Sequence, residues 1–387
     1  HCYRCETPLL YYALPSWFVN IQNIKSDLIK NAESMSWVPS HLKDGRFKNI
    51  MENAPDWTIS RNRYWASPLP FWKSETGKVM HIASLEDLKS KIKKSGNKYF
   101  VMRHGESESN LVNKVSSRQE YVDPLTEEGR NQVLKSVWEL KDRNIDLIIS
   151  SPFMRTKETA EIFMKELNIS NKFLVFDERL REFNAGVFDG KTWKEYFESF
   201  DIKKKYFYMP EGGESQKNAK TRASNFIYDI EKKYQNKNIL IITHDSIARM
   251  MIATVAGLSD DEVIKKVDSI MKFKNAEYIE LDFIPLPHNQ NYELDLHRPY
   301  IDSVVLVDEE GVEYKRIPEV IDCWFESGSM PFAQDHYPFE NKNWKEKNFP
   351  SGFVAEYIAQ TRTWFYYTHA ISSTLFGEAP FKYVVTT

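Results

Sequence analysis

Cysteine is scarce: the 387 residues contain three, at positions 2, 5 and 323. So few exclude a disulfide framework and make a reducing cytoplasm the expected setting. Long apolar runs are missing as well. No stretch approaches the ~20 residues of a membrane span, and no signal peptide is visible, so no membrane partner is expected. An excess of one charge is also absent. The 52 basic residues stand against 55 acidic ones, a net of −3, which gives no global case for nucleic-acid binding. Neither an internal repeat nor a low-complexity tract is present. What remains is the composition of an ordinary globular protein, 42% hydrophobic and 28% charged. Its length suits about two or three domains. It opens on His1 within a Cys-x-x-Cys and closes on the strand-like FKYVVTT, so a piece of a longer protein is expected.

The pattern changes twice along the chain. Residues 1–80 are rich in aromatics and broken by single Pro and Gly residues. SLEDLKSKIKKSG at 84–96 predicts a helix, with Ser84 as N-cap and Gly96 as its stop. From 98 onward, strand-like runs (KYFVMR, IDLIISS, KFLVFD, NILIIT) alternate with helical ones (LTEEGRNQVLKSVWELKDRN, PFMRTKETAEIFMKELN, RASNFIYDIEKKYQNK, IARMMIATVAGL). Such alternation implies a mostly parallel sheet covered on both faces. At LDFIPLPHNQN the pattern ends, and from LDLHRPYID the aromatic-rich character returns. An α/β domain bracketed by two stretches more like each other than like it indicates an insertion. Its two ends must then lie close together.

Within that middle region the residues capable of chemistry follow strands. Arg103 and His104 end the first, Arg155 starts the helix after the second, Glu182 follows the third and His244 ends the fourth. Carboxyl ends of strands in an open α/β sheet converge on one crevice. Two guanidinium groups suit a bidentate hold on phosphate. A neutral imidazole can attack phosphorus. A carboxylic acid kept protonated can supply the leaving oxygen with its proton. The arginines supply positive charge, so no metal is required. Amides after Gly105 would add anion-binding dipoles if a helix starts there.

The blocks VMRHGES, PLTEEGRNQ, SSPFMRTKETA, LREFNAGVFDG, EGGES and ITHD resemble, in order, those of the histidine phosphatase superfamily, the phosphoglycerate-mutase-like fold. The resemblance implies His104 as nucleophile, Arg103, Arg155 and His244 as phosphate holders, and Glu182 as proton donor. It implies Asn110, Glu214 and Ser215 as pocket residues, and no cofactor. One departure is Asp245, where the superfamily usually has Gly.

The flanks resemble isoleucyl-tRNA synthetase, a class I enzyme. The matching stretches are HCYRCETPLLYYALPSWFV, APDWTISRNRYWASPLPFW, LDLHRPYID, RIPEVIDCWFESGSMPFAQDHYPFEN and FPSGFVAEYIAQTRTWFYYTHAISSTLFGEAPFKYVV. This resemblance implies part of a Rossmann-type catalytic domain. Glu356, Gln360, Trp324 and Trp364 match positions at the aminoacyl-adenylate, while Tyr357, Ala359 and Thr363 depart from some relatives. The HIGH and KMSKS motifs, which bind ATP, and the editing domain are expected outside this chain, so adenylate formation by the chain alone is not. Cys2 and Cys5 match half of a four-ligand zinc site. The other half is not present, Cys323 is expected to be buried on a WFESG strand, and no zinc is expected here.

The expected architecture is α/β: a phosphoglycerate-mutase-like three-layer domain at 98–285, inserted between synthetase segments 1–97 and 286–387. The whole enzyme is expected to be a monomer that uses ATP, isoleucine and tRNA-Ile, with an insert acting on a small phosphorylated substrate. Two other readings stay open. The insert could be a phosphomutase, or a non-catalytic module that braces or binds tRNA through basic clusters at 93–98 and 201–207.

Overall fold

The computed structural model describes residues 1–3, 5–10, 12–62, 66–201, 204–266 and 272–387. The chain divides into two compact units, Phe71–Arg316 and a second formed by His1–Pro70 with Ile317–Thr387.

In the larger unit, short apolar runs become strands β1 (Lys98–Arg103), β2 (Leu147–Ser150), β3 (Leu174–Phe176), β4 (Asn238–Thr243) and β5 (Tyr278–Leu281). They lie in the order β5-β1-β4-β2-β3. The four from β1 to β3 are parallel, and β5 joins the edge antiparallel. Helices α1 (Glu127–Leu140), α2 (Met154–Glu166), α3 (Trp193–Glu198), α4 (Gln216–Lys233) and α5 (Asp245–Val255) accompany them. Because successive strand side chains point to opposite faces, two cores form. Val101, Ile149, Ile239 and Ile241 pack with Phe226 and Ile227 of α4 and Ile247 and Met251 of α5. Phe100, Met102, Ile148, Leu240 and Ile242 pack with Val133 of α1 and Phe163 of α2. Burial on both faces explains why these strands read as unbroken hydrophobic runs. The result is a three-layer α/β/α body. Tyr99 stands opposite Leu281 in the β1–β5 pair, so the two ends of this body leave it side by side.

Two helix boundaries differ from the sequence reading. The helix expected at 84–96 spans Leu85–Lys91, because Ile92 leaves it to bridge Leu306. Ser84 caps it as expected, accepting from the Asp87 amide at 3.1 Å. Helix α4 starts at Gln216, earlier than RASNF suggests, because Ser215 and Asn218 form a capping box. The unit also holds a four-stranded antiparallel sheet, in the order Val305–Val307, Glu313–Arg316, Phe71–Ser74, Val79–His81. Within the basic 93–98 cluster, Lys93 pairs with Glu313 and Lys94 lies 3.8 Å from Asp282, so much of its charge is locally compensated. Of the 201–207 cluster, residues 202 and 203 lie outside the described residues.

The smaller unit is built on three parallel strands, Ser351–Glu356, Phe381–Thr386 and Ser36–Val38. Helices Ile21–Glu33 and Trp364–Phe376 pack together over a core that includes Leu28, Trp37, Phe365 and Val384. Cys323 corrects the sequence reading. It is exposed and opens the helix Cys323–Ala333, because the Asp322 carboxylate accepts from the Trp324 amide at 3.3 Å and ends the strand at Ile321. Among the described residues no helix is long and apolar enough to cross a membrane.

Candidate active site

Four parallel strands deliver the reactive groups to one end of the sheet. β1 runs into His104, the turn after β2 starts α2 with Arg155 in its first turn, Glu182 follows β3, and β4 runs into His244. Since β1 and β4 are neighbours, the two imidazoles meet with ring centroids 5.2 Å apart. His104, Arg155, Glu182 and His244 are all buried. The loop after β1 is held by a glycine crossing. A Cβ on Gly105 would lie 2.5 Å from the Gly129 carbonyl, and one on Gly129 would lie 2.0 Å from that of Glu106. That contact is why the sequence carries Gly in both RHG and TEEG.

The backbone after Gly105 is not the anion cradle the sequence suggests. Helix formation waits until Glu108–Leu111, capped by Ser107. The amides are already engaged, that of Gly105 by Thr159 Oγ1 at 3.3 Å, Glu106 by Gln132 at 3.1 Å and Ser107 by Asn110 at 3.2 Å. An anion here must be held by side chains.

The bonding pattern determines the histidine tautomers. His104 Nδ1 lies 2.6 Å from the Gly105 carbonyl, which can only accept, so this nitrogen carries the proton. Its Nε2 accepts from Arg155 Nε at 3.1 Å and is bare. Burial, with Arg155 and Arg103 nearby, pushes its pKa well below the ordinary 6.5. His244 is held the opposite way round: Nδ1 accepts from Arg155 Nη2 at 3.1 Å, and Nε2 donates to Ser151 Oγ at 2.9 Å. Its pKa is likewise far below 6.5, first through burial and then through Arg155.

Arg155 is the hub. Besides both histidines, it donates to Asp123 at 2.9 Å and to the Ser116 carbonyl at 2.9 Å. Burial lowers its pKa while Asp123 and Glu182 oppose the shift. Arg103 donates Nη1 to the Phe273 carbonyl at 2.8 Å, and its buried Nε has no partner among the described residues. Glu182 accepts from the Phe183 amide at 2.7 Å and lies 3.9 Å from His244. Burial raises its pKa above the ordinary 4.5, opposed by Arg155, and Asp245 adds to the rise. Asp245, which departs from the superfamily pattern, accepts from the Phe273 amide at 2.8 Å, with Arg249 4.0 Å away. Its carboxylate is tied at the edge of the site.

Arg103, His104, Arg155, Glu182, Asp245 and Asn110 line a cleft of about 540 Å³, whereas His244, expected from the sequence to hold phosphate, is fully buried and does not line it. Two expected pocket residues are placed elsewhere. Glu214 is clamped by Arg222 at 2.6 Å, and Ser215 caps α4, while Gln216, the next residue, lines the cleft. Sequence reasoning missed Asp123, which lies in a Pro-containing loop that reads as a turn, and Ser151. It also missed the aromatic residues of α3, whose only local signal was the capping pair Thr192 and Glu195.

In the smaller unit, Trp364 donates its amide to Gln360 Oε1 at 3.2 Å and its indole N–H to the Ser327 carbonyl at 2.9 Å. Trp324 stacks on Tyr367 at 5.6 Å. Both indoles therefore lie between the helices Cys323–Ala333 and Trp364–Phe376, whereas Glu356 and Ala359 are exposed. Cys2 and Cys5 are free thiols, and among the described residues no cluster of three or more His, Cys, Asp and Glu could hold a metal ion.

Comparison with known proteins matches the flanks and the middle of the chain to different families. Residues 8–126 and 264–387, more than half of the chain, match the family model of class I tRNA synthetases (I, L, M and V). Residues 99–283 match histidine phosphatase superfamily branch 1. Isoleucine–tRNA ligase of Wolbachia sp. subsp. Brugia malayi is 26% identical over 99% of this chain and 17% of its own length. That of Clostridium tetani is 25% identical over 99% and 18%. The chain thus spans less than a fifth of these relatives. Among solved structures, a mycobacterial glucosyl-3-phosphoglycerate phosphatase with bound VO3 aligns at TM-score 0.42, with 19% identity over 47% of this chain and 91% of that one. Phosphoserine phosphatase of Entamoeba histolytica with 3-phosphoglyceric acid aligns at 0.41, with 23% identity over 48% and 89%. Residues 99–283 match the histidine phosphatase superfamily model, and the chain as a whole belongs to the class I tRNA synthetases of the I, L, M and V group.

Proposed function

We propose that this chain is a segment of an isoleucine–tRNA ligase, an enzyme using ATP, isoleucine and tRNA-Ile, in which residues 98–285 are an inserted phosphohydrolase acting through a phosphohistidine. Segments 1–97 and 286–387 are its synthetase flanks. The observation that carries the phosphohydrolase reading is the bare Nε2 of a buried, neutral His104, facing the Arg155 guanidinium at 3.1 Å.

An arriving phosphomonoester exchanges that N–H···N contact for bonds from Arg155 and Arg103 to its oxygens. Nε2 attacks phosphorus, the N–P bond forms, and the P–O bond to the leaving group breaks. Glu182, protonated because burial raises its pKa, gives its proton to the leaving oxygen. Water then attacks phosphorus, loses a proton to Glu182 and releases phosphate from His104. Arg155 and Arg103 neutralise the charge that spreads over the equatorial oxygens.

The test is a quench in alkali of enzyme turning over a radiolabelled phosphate ester. A base-stable, acid-labile label on His104 is expected. Direct water attack would leave the protein unlabelled while phosphate still forms, and that result would overturn the mechanism.

The two shifted groups also set a pH dependence. Attack needs neutral His104, so the rate falls as acid protonates it, below 6.5 because its pKa is lowered. Leaving-group protonation needs neutral Glu182, so the rate falls as pH rises through a pKa lifted above 4.5. kcat/KM for glycerol phosphate is expected to be bell-shaped, and Glu182→Gln is expected to remove the alkaline limb. A nitrophenyl phosphate, whose leaving group needs less proton help, is expected to lose less rate in that variant. Rate profiles on both esters check this.

A further inference from the structure

The cleft carries features that a bare phosphate does not use. Its volume of about 540 Å³ suits a whole small ligand. One wall is α3, held by the Thr192–Glu195 capping box. It brings Trp193 and Phe197 to the cleft, with centroids 6.0 Å apart and planes inclined by 27°. Phe197 is 39% exposed, a large apolar ring left partly open at the mouth of a polar site. Lys205 Nζ lies 5.4 Å from its centroid.

Charge is the second feature. Six basic and three acidic side chains line the cleft, in a chain whose net charge is −3. The acids are engaged: Glu106 by Thr126, Asp245 by the Phe273 amide and Glu182 by that of Phe183. Arg103 and Arg155 are the inner pair. Lys114 and Lys272, exposed on the rim, make no ion pair among the described residues. They are cations beyond what one phosphomonoester needs.

Resting on the phosphohydrolase reading above, we infer that the substrate class is a nucleotide bearing a second phosphate. Its scissile phosphomonoester meets His104, its base stacks on the Trp193–Phe197 wall, and its other phosphate lies among the rim lysines. A small phosphorylated acid would use the cations and leave the wall idle, whereas a phosphotyrosyl group would use the wall and leave the lysines idle. Stacking on an aromatic wall beside a cationic track is how proteins hold nucleotides without reading their sequence.

The test measures kcat/KM of the chain for adenosine bisphosphate, adenosine monophosphate, phosphotyrosine, glycerol phosphate and a nitrophenyl phosphate. The bisphosphate is expected to exceed the monophosphate, and the monophosphate to exceed glycerol phosphate, by about tenfold at each step. Trp193→Ala is expected to cut the ratio of nucleotide to glycerol phosphate about tenfold. Phe197→Ala, at a more exposed position, is expected to do the same should the first variant misfold. Lys114→Ala with Lys272→Ala is expected to cut the ratio of bisphosphate to monophosphate by about the same factor. Ratios near one, or phosphotyrosine matching the bisphosphate, would overturn the inference while the phosphohydrolase stands. No turnover of any ester, the nitrophenyl phosphate included, would overturn both.

Discussion

His104→Ala is expected to lower turnover of a nitrophenyl phosphate by about four orders of magnitude or more while the protein stays folded. The imidazole touches the site through two bonds, Nδ1 to the Gly105 carbonyl and Nε2 to Arg155. The loop that carries it is held independently, by the close approach of Gly105 to Gly129 and by the pairing of β1 with β4. Removing the ring therefore takes away the atom that bonds to phosphorus and leaves the surrounding structure in place. Arg155 and Glu182 cannot replace it. One donates only, and the other is needed as the acid. Initial rates, with thermal unfolding measured beside them, decide the matter. A variant that kept more than about 1% of the rate would place the nucleophile elsewhere.

Arg155→Ala is expected to damage stability and chemistry together. Arg155 and Asp123 form a buried ion pair at 2.9 Å, with side chains 4% and 6% exposed. Cutting away the guanidinium leaves the Asp123 carboxylate buried with only Ser107 and Ser109 as donors among the described residues, a loss of about 3–5 kcal/mol in unfolding free energy. It also frees both histidines from the N–H groups that orient them. kcat/KM is expected to fall by about 100- to 1000-fold in the fraction that remains folded. Arg155→Lys separates the two effects. Its ammonium restores a charge beside Asp123 and recovers part of the stability, but its three donors sit on a single nitrogen that cannot reach His104, His244 and phosphate at once, so kcat/KM stays low. Denaturant titration and initial rates on both variants test this. A rate within tenfold of the parent in Arg155→Ala would show that phosphate is gripped without this residue.

Much of the layered body was legible in the sequence because its central strands β1, β2 and β4 are buried on both faces. Phe100 to Met102 and Ile239 to Ile242 had to be apolar throughout, and that continuity stands out against polar loops. The reactive residues were legible for a related reason: Arg103, His104 and His244 end or follow such a run, Arg155 opens the helix after one and Glu182 lies in the loop after another, and parallel strands bring those ends together. Boundaries were less legible. Ile92 leaves its helix to pair with Leu306, more than two hundred residues away, and no local pattern announces that partner. Cys323 was misplaced for a local reason, the capping carboxylate of Asp322, which outweighed the strand-like run beside it.

The sequence by itself determined that an α/β body with two histidines, two arginines and a glutamate at its strand ends interrupts an aromatic-rich synthetase-like chain. Those features live in local periodicity and in motif order. Tertiary structure alone decided which nitrogen of His104 is bare, that Asp123 anchors Arg155, that Gln216 rather than Glu214 or Ser215 lines the cleft, and that Trp193 and Phe197 wall it. Each of these depends on which groups from distant segments meet in a buried space. There, hydrogen-bond partners and desolvation set protonation and orientation, and a one-dimensional pattern records neither.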